Sequence, residues 1–157
     1  MNTANQFPIS EIDLNNPEQL QQLHRVFQRS YRVEAELLKA EVFPPLARTA
    51  EQLKTDDSFF VGAWEGERLA AAVELEQQAQ QLEICSLVVD PDYFRQGVAS
   101  RLLAHVLSET RWKTARVETA TANAPAINLY RKFGFMERQR WHNDVGIEKL
   151  AMMVSKS

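Results

Sequence analysis

Apolar side chains in the first third of the chain recur three or four residues apart, which predicts that they share one face of an α-helix. The members of this face are Leu20, Leu23, Val26, Phe27 and Tyr31. Asn15-Asn16-Pro17 predicts the start of the helix, because asparagine caps free backbone N–H groups and proline fits the first turn. A second helical stretch over Val33–Lys39 precedes Phe43-Pro44-Pro45, where the prolines predict a break. A further helix through Leu46 and Leu53 is expected to end near Thr55-Asp56-Asp57.

Near Phe59 the pattern changes to runs of strand-forming residues separated by polar turns. Three runs, Phe59–Trp64, Leu69–Glu76 and Leu82–Val89, predict a meander of strands. The remaining predicted elements are a helix from Gly97, a strand over Ala115–Thr121, a helix from Asn123 to Gly134, and strands over Phe135–His142 and Val145–Val154. The order αα-βββ-α-β-α-ββ predicts an α/β fold. No linker interrupts it, so we expect a single domain over residues 1–157.

Composition and charge exclude several classes of protein. The chain has 157 residues and a net charge of −3, which argues against a surface built to bind nucleic acid or anionic lipid. No apolar run approaches the length of a membrane span, and the first ten residues lack a secretory signal pattern. Cys85 is the single cysteine, predicted as a small buried hydrophobe within a strand, and cannot form an internal disulfide. We therefore expect a cytoplasmic protein that holds no metal.

The segment Leu82–Pro91, followed by Arg95–Ser100, has the features of an anion site between a strand and a helix. A helix N-terminus carries unpaired backbone N–H groups and the positive end of the helix dipole. Gly97 and Ala99 are small enough to let a phosphate approach the backbone. A glycine at a helix start is also common where no phosphate binds. The segment matches neither the P-loop nor the dinucleotide-binding fingerprint.

Two sequence blocks, separated by one predicted strand, carry a pair of more specific motifs. The first runs from Val88-Val89-Asp90-Pro91 through Gly97-Val98-Ala99 to Leu102-Leu103. The second block is the helix Asn123–Phe135, of the form N-x-x-A-x-x-L-Y-x-x-x-G-F. Together they resemble the GNAT superfamily of acetyl-CoA-dependent N-acetyltransferases, in which Q/R-x-x-G-x-G/A follows the fourth strand. The resemblance implies a mixed, mostly antiparallel sheet flanked by helices.

The resemblance also implies that acetyl-CoA is the cosubstrate. Strand backbone groups would contact the pantetheine and the thioester, and the start of the following helix would hold the pyrophosphate. The implied cofactor-binding residues are Leu87, Val88, Val89, Arg95, Gln96, Gly97, Val98, Ala99, Ser100, Asn123 and Tyr130. Phe94 departs from the motif, because it stands where the family has a polar Gln or Arg. The loop is then expected to rely on backbone N–H groups, which leaves its affinity for CoA open.

Direct attack of an amine on the thioester is implied as well, with Tyr130 as general acid toward the departing thiolate. An aromatic residue at helical spacing with Ile127 and Phe133 is otherwise typical of a core position. An alkyl ammonium must lose a proton before it attacks, since its pKa is about 10.4. Two candidate bases match different branches of the family. Glu118 stands at the position of the base in the ribosomal-protein alanine acetyltransferases, and Glu83 stands at its position in the histone acetyltransferases. Each also fits an ordinary solvated strand glutamate, and a water relay is a further alternative.

The acceptor is expected to be a primary amine, from a small molecule or a peptide N-terminus. In this family, acceptor specificity depends on the first two helices, their connection and the last two strands. Candidate residues there, which would attract and cover a cationic amine, are Glu34, Glu41, Phe43, Trp141, His142 and Asp144. The alternative is a catalytically weak acyl-CoA-binding module with a regulatory or interaction role. We expect no nucleic-acid or membrane partner, and the resemblance implies pairing of two copies through edge strands.

Overall fold

A seven-stranded sheet organises the part of the chain that the computed structural model describes, residues 7–55 and 57–156. The strands are β1 (Ile9–Glu11), β2 (Phe59–Glu65), β3 (Arg68–Gln78), β4 (Gln81–Val89), β5 (Thr114–Ala120), β6 (Met136–His142) and β7 (Glu148–Ser155). The helices are α1 (Pro17–Leu38), α2 (Ala50–Leu53), α3 (Val98–Glu109) and α4 (Ala124–Lys132), with short 3₁₀ turns at Pro44–Ala47 and Pro91–Tyr93. The predicted domain limits at residues 1 and 157, and Asp56 in the predicted helix end, lie outside the described residues.

The strand order is β1-β2-β3-β4-β5-β7-β6, and β4 and β5 are parallel while the other neighbouring pairs are antiparallel. This confirms the mixed, mostly antiparallel sheet flanked by helices. The parallel pairing extends from Gln81 opposite Thr114 only as far as Ile84 opposite Val117. Both strands continue beyond that point, β4 to Val89 and β5 to Ala120. The sheet therefore divides between the ends of β4 and β5.

Helices cover both faces of the sheet because β3 is apolar on both sides. Ala71, Val73 and Leu75 pack into a core with α3 and α4, whereas Leu69 and Ala72 pack into a second core with α1 and α2. Alternate residues of a strand point to opposite faces, and a register shift in the pairing with β2, between Leu69 and Ala71, puts Leu69 on the face of Ala72. The two cores therefore lie on opposite sides of the sheet. Within the described ranges, no helix is both long enough and apolar enough to cross a membrane.

Three elements differ from the sequence expectation. The helix predicted through Leu46 and Leu53 is a 3₁₀ turn, Pro44–Ala47, followed by the short α2, which begins anew at its N-cap Thr49. α1 is one continuous helix over Pro17–Leu38, where two helical stretches were predicted; neither glycine nor proline interrupts it after Pro17, and it ends where Lys39 adopts a left-handed conformation (φ 53°). β1 was not predicted, because three residues are too few to show an alternating pattern. Its partner strand has Gly62, where a Cβ would lie 2.7 Å from Leu69 Cδ1.

Burial along α1 gives a direct test of the second core. Leu23 is fully buried and Leu37 is 48% exposed on the same helix. We expect Leu23→Ala to lower the free energy of unfolding by about 3 kcal/mol, through lost burial and a residual cavity. Leu37→Ala makes the same change in helix propensity and should cost less than about 0.5 kcal/mol. Urea unfolding of both variants measures the difference, and equal losses would contradict this packing.

Candidate active site

A cavity of about 540 Å³ opens where β4 and β5 separate. Its walls come from the C-terminal half of α1, the segment that follows it, β3, the ends of β4 and β5, α4, and the start of β7 with the turn before it. Polar side chains that line it are Tyr31, Glu34, Arg48, Glu74, Ser86, Glu118, Thr119, Asn123, Tyr130, Asn143 and Lys149. The division of the sheet thus brings together groups that lie far apart in the sequence.

Tyr130 lines this cavity from α4 and is only 4% exposed. Its ring packs edge-on against Phe135 at a centroid distance of 5.6 Å, so the residue serves the core as well as the cavity. Burial raises the pKa of Tyr130 well above its ordinary value, and the nearby Glu34 carboxylate and Tyr31 phenol raise it further. The phenol therefore keeps its proton at neutral pH and is available as a donor.

The two predicted bases share one arginine. Arg116 Nη1 lies 2.7 Å from Glu118 Oε2 and 3.2 Å from Glu83 Oε2. Glu118 lines the cavity, whereas Glu83 is not among its lining residues. Burial raises the pKa of Glu83 above its ordinary value, although the Arg116 charge and hydrogen bond oppose the increase. The structure therefore brings Glu118 into the cavity beside Tyr130 and leaves Glu83 on the neighbouring stretch of β4.

Asn123 connects α1 to α4. Its Oδ1 accepts a hydrogen bond from the Ala126 N–H at 3.3 Å, which caps α4, and its Nδ2 donates to Glu34 Oε1 at 3.3 Å. Burial raises the pKa of Glu34, while the hydrogen bond from Asn123 and the charge of Lys149 oppose this increase. The carboxylate of α1 is thereby held next to the helix that carries Tyr130.

A buried carboxylate that the sequence analysis missed lies at one side of the cavity. Glu74 is 5% exposed and takes two hydrogen bonds from Arg48, at 2.8 and 2.9 Å. Ser58 Oγ donates to it at 2.7 Å and Ser86 Oγ at 3.3 Å, and Tyr31 donates to Ser86 at 3.1 Å. Burial alone would raise the pKa of Glu74, but the hydrogen bonds hold it below the ordinary value.

One sequence signal pointed to this network. Glu74 interrupts the apolar run of β3, and a charge within a buried strand needs a partner. Its partner Arg48 lies in an irregular segment after the prolines, where no periodicity marks it. The pairing therefore becomes visible only once the chain is folded.

The implied pyrophosphate segment lies at the start of α3. Gly97 is the N-cap in a left-handed conformation (φ 74°), without a side-chain cap, and no atom lies within 4 Å of the position of an added Cβ. The first backbone N–H groups of this twelve-residue helix are therefore accessible to an anion. Val88 and Val98 are buried, so only their backbones can contact a cofactor. Leu87 and Val89 are partly buried, Ala99 and Ser100 lie in the first turn, and Phe94, Arg95 and Gln96 are exposed.

The prediction that Cys85 is a small buried hydrophobe was wrong, because its side chain is exposed on the cavity wall. The reason is the local geometry of β4: Glu74 pairs with Ser86 and Leu75 with Ile84, so the register shifts and Cys85 lies in a bulge without a partner on β3. Of the residues predicted to bind the acceptor, Glu34 and Phe43 line the cavity, and Glu41 lines a neighbouring one of about 600 Å³. Trp141, His142 and Asp144 line neither cavity.

Across the described residues, no group of three or more His, Cys, Asp or Glu side chains is placed to hold a metal ion.

Comparison with known proteins agrees with the class that this divided sheet and its cavity define. The acetyltransferase (GNAT) family matches residues 20–135, which is more than half of the chain. The chain therefore belongs to the GNAT family of acetyltransferases.

The sequence identity between this chain and individual proteins is low, from 18% to 30% in the three that follow. The UPF0157 protein YqkA of Bacillus subtilis is 30% identical over 112 residues, which are 70% of this chain and 32% of that protein. The N-alpha-acetyltransferase RimI of Mycobacterium tuberculosis is 28% identical over 132 residues, 80% of this chain and 84% of that protein. PaiA N-acetyltransferase from Thermoplasma acidophilum, solved in complex with coenzyme A, has the same fold, with a TM-score of 0.75, 18% identity and coverage of 96% and 99% of the two chains.

The Glu74 network leads to a prediction for stability. Arg48→Met removes the cation that is bonded to the buried Glu74 carboxylate. We expect the free energy of unfolding at pH 7 to fall by about 2 kcal/mol, since solvent partly reaches Arg48. Without the arginine, burial raises the pKa of Glu74 above its unfolded value, so the variant should regain stability as pH falls toward 5. The wild-type Glu74 pKa is lowered, so its contribution instead diminishes as pH falls below the unfolded pKa of about 4.3.

Urea unfolding at pH 7 and pH 5 measures both effects. Arg140→Met is the matched control, because Arg140 pairs with Glu137 on the exposed surface of β6. It should change stability by less than about 0.5 kcal/mol at either pH. A loss in Arg48→Met that is the same at both pH values would show that Glu74 is not left as an unpaired charge.

Proposed function

We propose that this chain transfers the acetyl group of acetyl-CoA to a primary amine by direct attack. The observation that carries this proposal is the position of Tyr130, a buried and protonated phenol that lines a cavity between the separated ends of β4 and β5. Carboxylates line the same cavity from α1, β3 and β5. A proton donor and proton acceptors are therefore available to one bound amine and one bound thioester.

The residues present fit acetyl-CoA in two places. The gap between the ends of β4 and β5 exposes strand backbone near Leu87, where the pantetheine amides would find hydrogen-bond partners. The N-terminus of α3 presents uncapped N–H groups around Gly97, and Arg95 adds positive charge, which suits a pyrophosphate. When bound, acetyl-CoA supplies a thioester carbonyl that is activated toward an amine.

In this proposal, Tyr130 donates its proton to the sulfur as the carbon–sulfur bond breaks. Protonation of the leaving thiolate removes a full negative charge from a cavity that already contains several carboxylates. Glu118 and Glu83 stay predictions for the base. The arginine that they share limits both, because it bonds one oxygen of Glu118 and both oxygens of Glu83.

The acceptor is a primary amine, and the carboxylates of the cavity favour a cationic one. Similarity to an N-alpha-acetyltransferase over most of both chains supports a peptide N-terminus, and a small-molecule amine fits the same chemistry. Cytoplasmic location and pairing of two copies stay predictions.

The decisive test measures release of free thiol from acetyl-CoA in the presence of amines, polyamines, aminoglycosides and N-terminal peptides. We expect turnover with at least one acceptor. Tight binding of acetyl-CoA without turnover on any of them would instead support the catalytically weak binding module, for which the exposed Phe94 at the polar motif position is the structural indication.

Replacing the tyrosine tests the proposed acid. Tyr130→Phe keeps the ring that packs on Phe135 and removes the proton, so kcat should fall by about 100-fold while the affinity for CoA stays nearly constant. Tyr93→Phe is the control, because its hydroxyl bonds Glu65 and the residue does not line the cavity. Steady-state rates and calorimetric CoA binding measure the two effects, and full activity in Tyr130→Phe would remove this residue from the mechanism.

A pair of glycines tests the pyrophosphate site. Gly97 and Gly66 both have positive φ, 74° and 59°, and open space around an added Cβ. Alanine at either position should therefore cost about 1 kcal/mol of stability through backbone strain. Only Gly97→Ala places a methyl group at the proposed phosphate cradle, so it alone should weaken CoA binding, by about tenfold. Equal CoA affinity in both variants, measured by calorimetry, would place the pyrophosphate elsewhere.

A further inference from the structure

Three carboxylates line the cavity among the described residues, and they differ in which groups are bonded to their oxygens. Both oxygens of Glu74 take hydrogen bonds from Arg48, with serine hydroxyls in addition. Glu118 has an arginine 2.7 Å from Oε2. Glu34 accepts one hydrogen bond within the described chain, from Asn123 Nδ2 to Oε1 at 3.3 Å. Among the described groups, Glu118 and Glu34 thus each keep one oxygen without a bonded partner, but Glu118 is paired with a full positive charge at 2.7 Å, whereas Glu34 is bonded only to a neutral amide. A nearby positive charge lowers the proton affinity of a carboxylate, so Glu34 is the better proton acceptor of the two.

We infer that Glu34 is the proton acceptor for the incoming amine, an inference that rests on the proposed N-acetyltransferase function. Its location supports this role, because Asn123 ties the Glu34 carboxylate to the cap of α4, the helix that carries Tyr130. The Glu34 charge acts on the Tyr130 phenol directly. The base and the acid therefore lie at the same end of the cavity, where one reacting amine and one thioester must meet.

The electrostatic surroundings of Glu34 suit a base that works near neutral pH. Burial raises its pKa, and a base is most effective when its pKa approaches the working pH. The hydrogen bond from Asn123 and the charge of Lys149 on β7 oppose the increase. The charged and titratable groups that share the cavity with Glu34 are Tyr31 on α1, Arg48 before α2, Glu74 on β3, Cys85 on β4, Glu118 on β5, Tyr130 on α4 and Lys149 on β7.

The proposed step balances in protons and bonds. The acceptor enters as an ammonium ion and gives one proton to the free oxygen of Glu34. The neutral nitrogen then forms a bond to the thioester carbonyl carbon, and the carbon–sulfur bond breaks. Tyr130 protonates the departing sulfur and then takes back a proton from the nitrogen that is now bonded to the acetyl group. The acetylated amine leaves as an amide. Glu34 releases its proton to solvent, so each turnover yields one amide, one thiol and one proton.

A purely structural role for Glu34 would be to support Asn123, and one substitution separates the two roles. Glu34→Gln keeps an oxygen that can accept the hydrogen bond from Asn123 but cannot take a proton from an ammonium group. Glu36→Gln is the matched control, because Glu36 lies on the same helix with its side chain exposed. Unfolding midpoints and CoA affinity should be unchanged in both variants.

The experiment measures kcat/KM from pH 5 to pH 10, by thiol release with the best amine acceptor of the panel. We expect Glu34→Gln to lower kcat/KM by about 100-fold or more at pH 7 and to remove the limb of the profile that reports ionisation of a carboxyl group. Glu36→Gln should follow the wild type, and the profiles of Glu118→Gln and Glu83→Gln should keep that limb.

Two results would overturn the inference while leaving the proposed function intact. The first is a Glu34→Gln profile that retains the acidic limb at a wild-type rate. The second is loss of that limb in Glu118→Gln or Glu83→Gln instead. Absence of thiol release by the wild type with every acceptor is a separate result, which would contradict the proposed function itself.

Discussion

The structure depends on the point at which β4 and β5 cease to pair. Parallel strands that stay paired bury their backbone groups in a ladder, and such a sheet offers no gap between neighbours. Here the ladder ends at Ile84 opposite Val117, and both strands continue. The backbone beyond that point needs other partners, and side chains of the two strands face an open space instead of one another. The cavity follows from this single break, whereas the exposure of Cys85 comes from the register shift between β3 and β4.

The cavity also explains why its charges are distributed as they are. A carboxylate that is removed from water requires compensation, and Glu74 obtains it from Arg48 and two serines. Glu118 obtains it from Arg116. Glu34 is compensated by one amide hydrogen bond and by the charge of Lys149, and burial still raises its pKa. The proposed reaction therefore assigns structural support to Glu74 and proton acceptance to Glu34, although both line the same cavity.

The sequence was informative where local rules dominate. The helix starts at Asn16, Gly97 and Asn123 are correct, because caps and glycines act within a few residues. Motif resemblance also placed Glu118 and Tyr130, which line one cavity. The Arg48–Glu74 pair and the Asn123–Glu34 contact join residues 26 and 89 positions apart, and no local pattern encodes them. Both depend on how α1 and the segment after it pack on the sheet.

The central claim is that acetyl transfer takes place in the gap between β4 and β5. A crystal structure of the protein with bound coenzyme A tests it most directly. The account predicts pantetheine between the ends of the two strands, pyrophosphate at the N-terminus of α3, and the thiol sulfur within hydrogen-bond distance of the Tyr130 hydroxyl. Coenzyme A bound at another surface, with the gap between β4 and β5 empty, would contradict it.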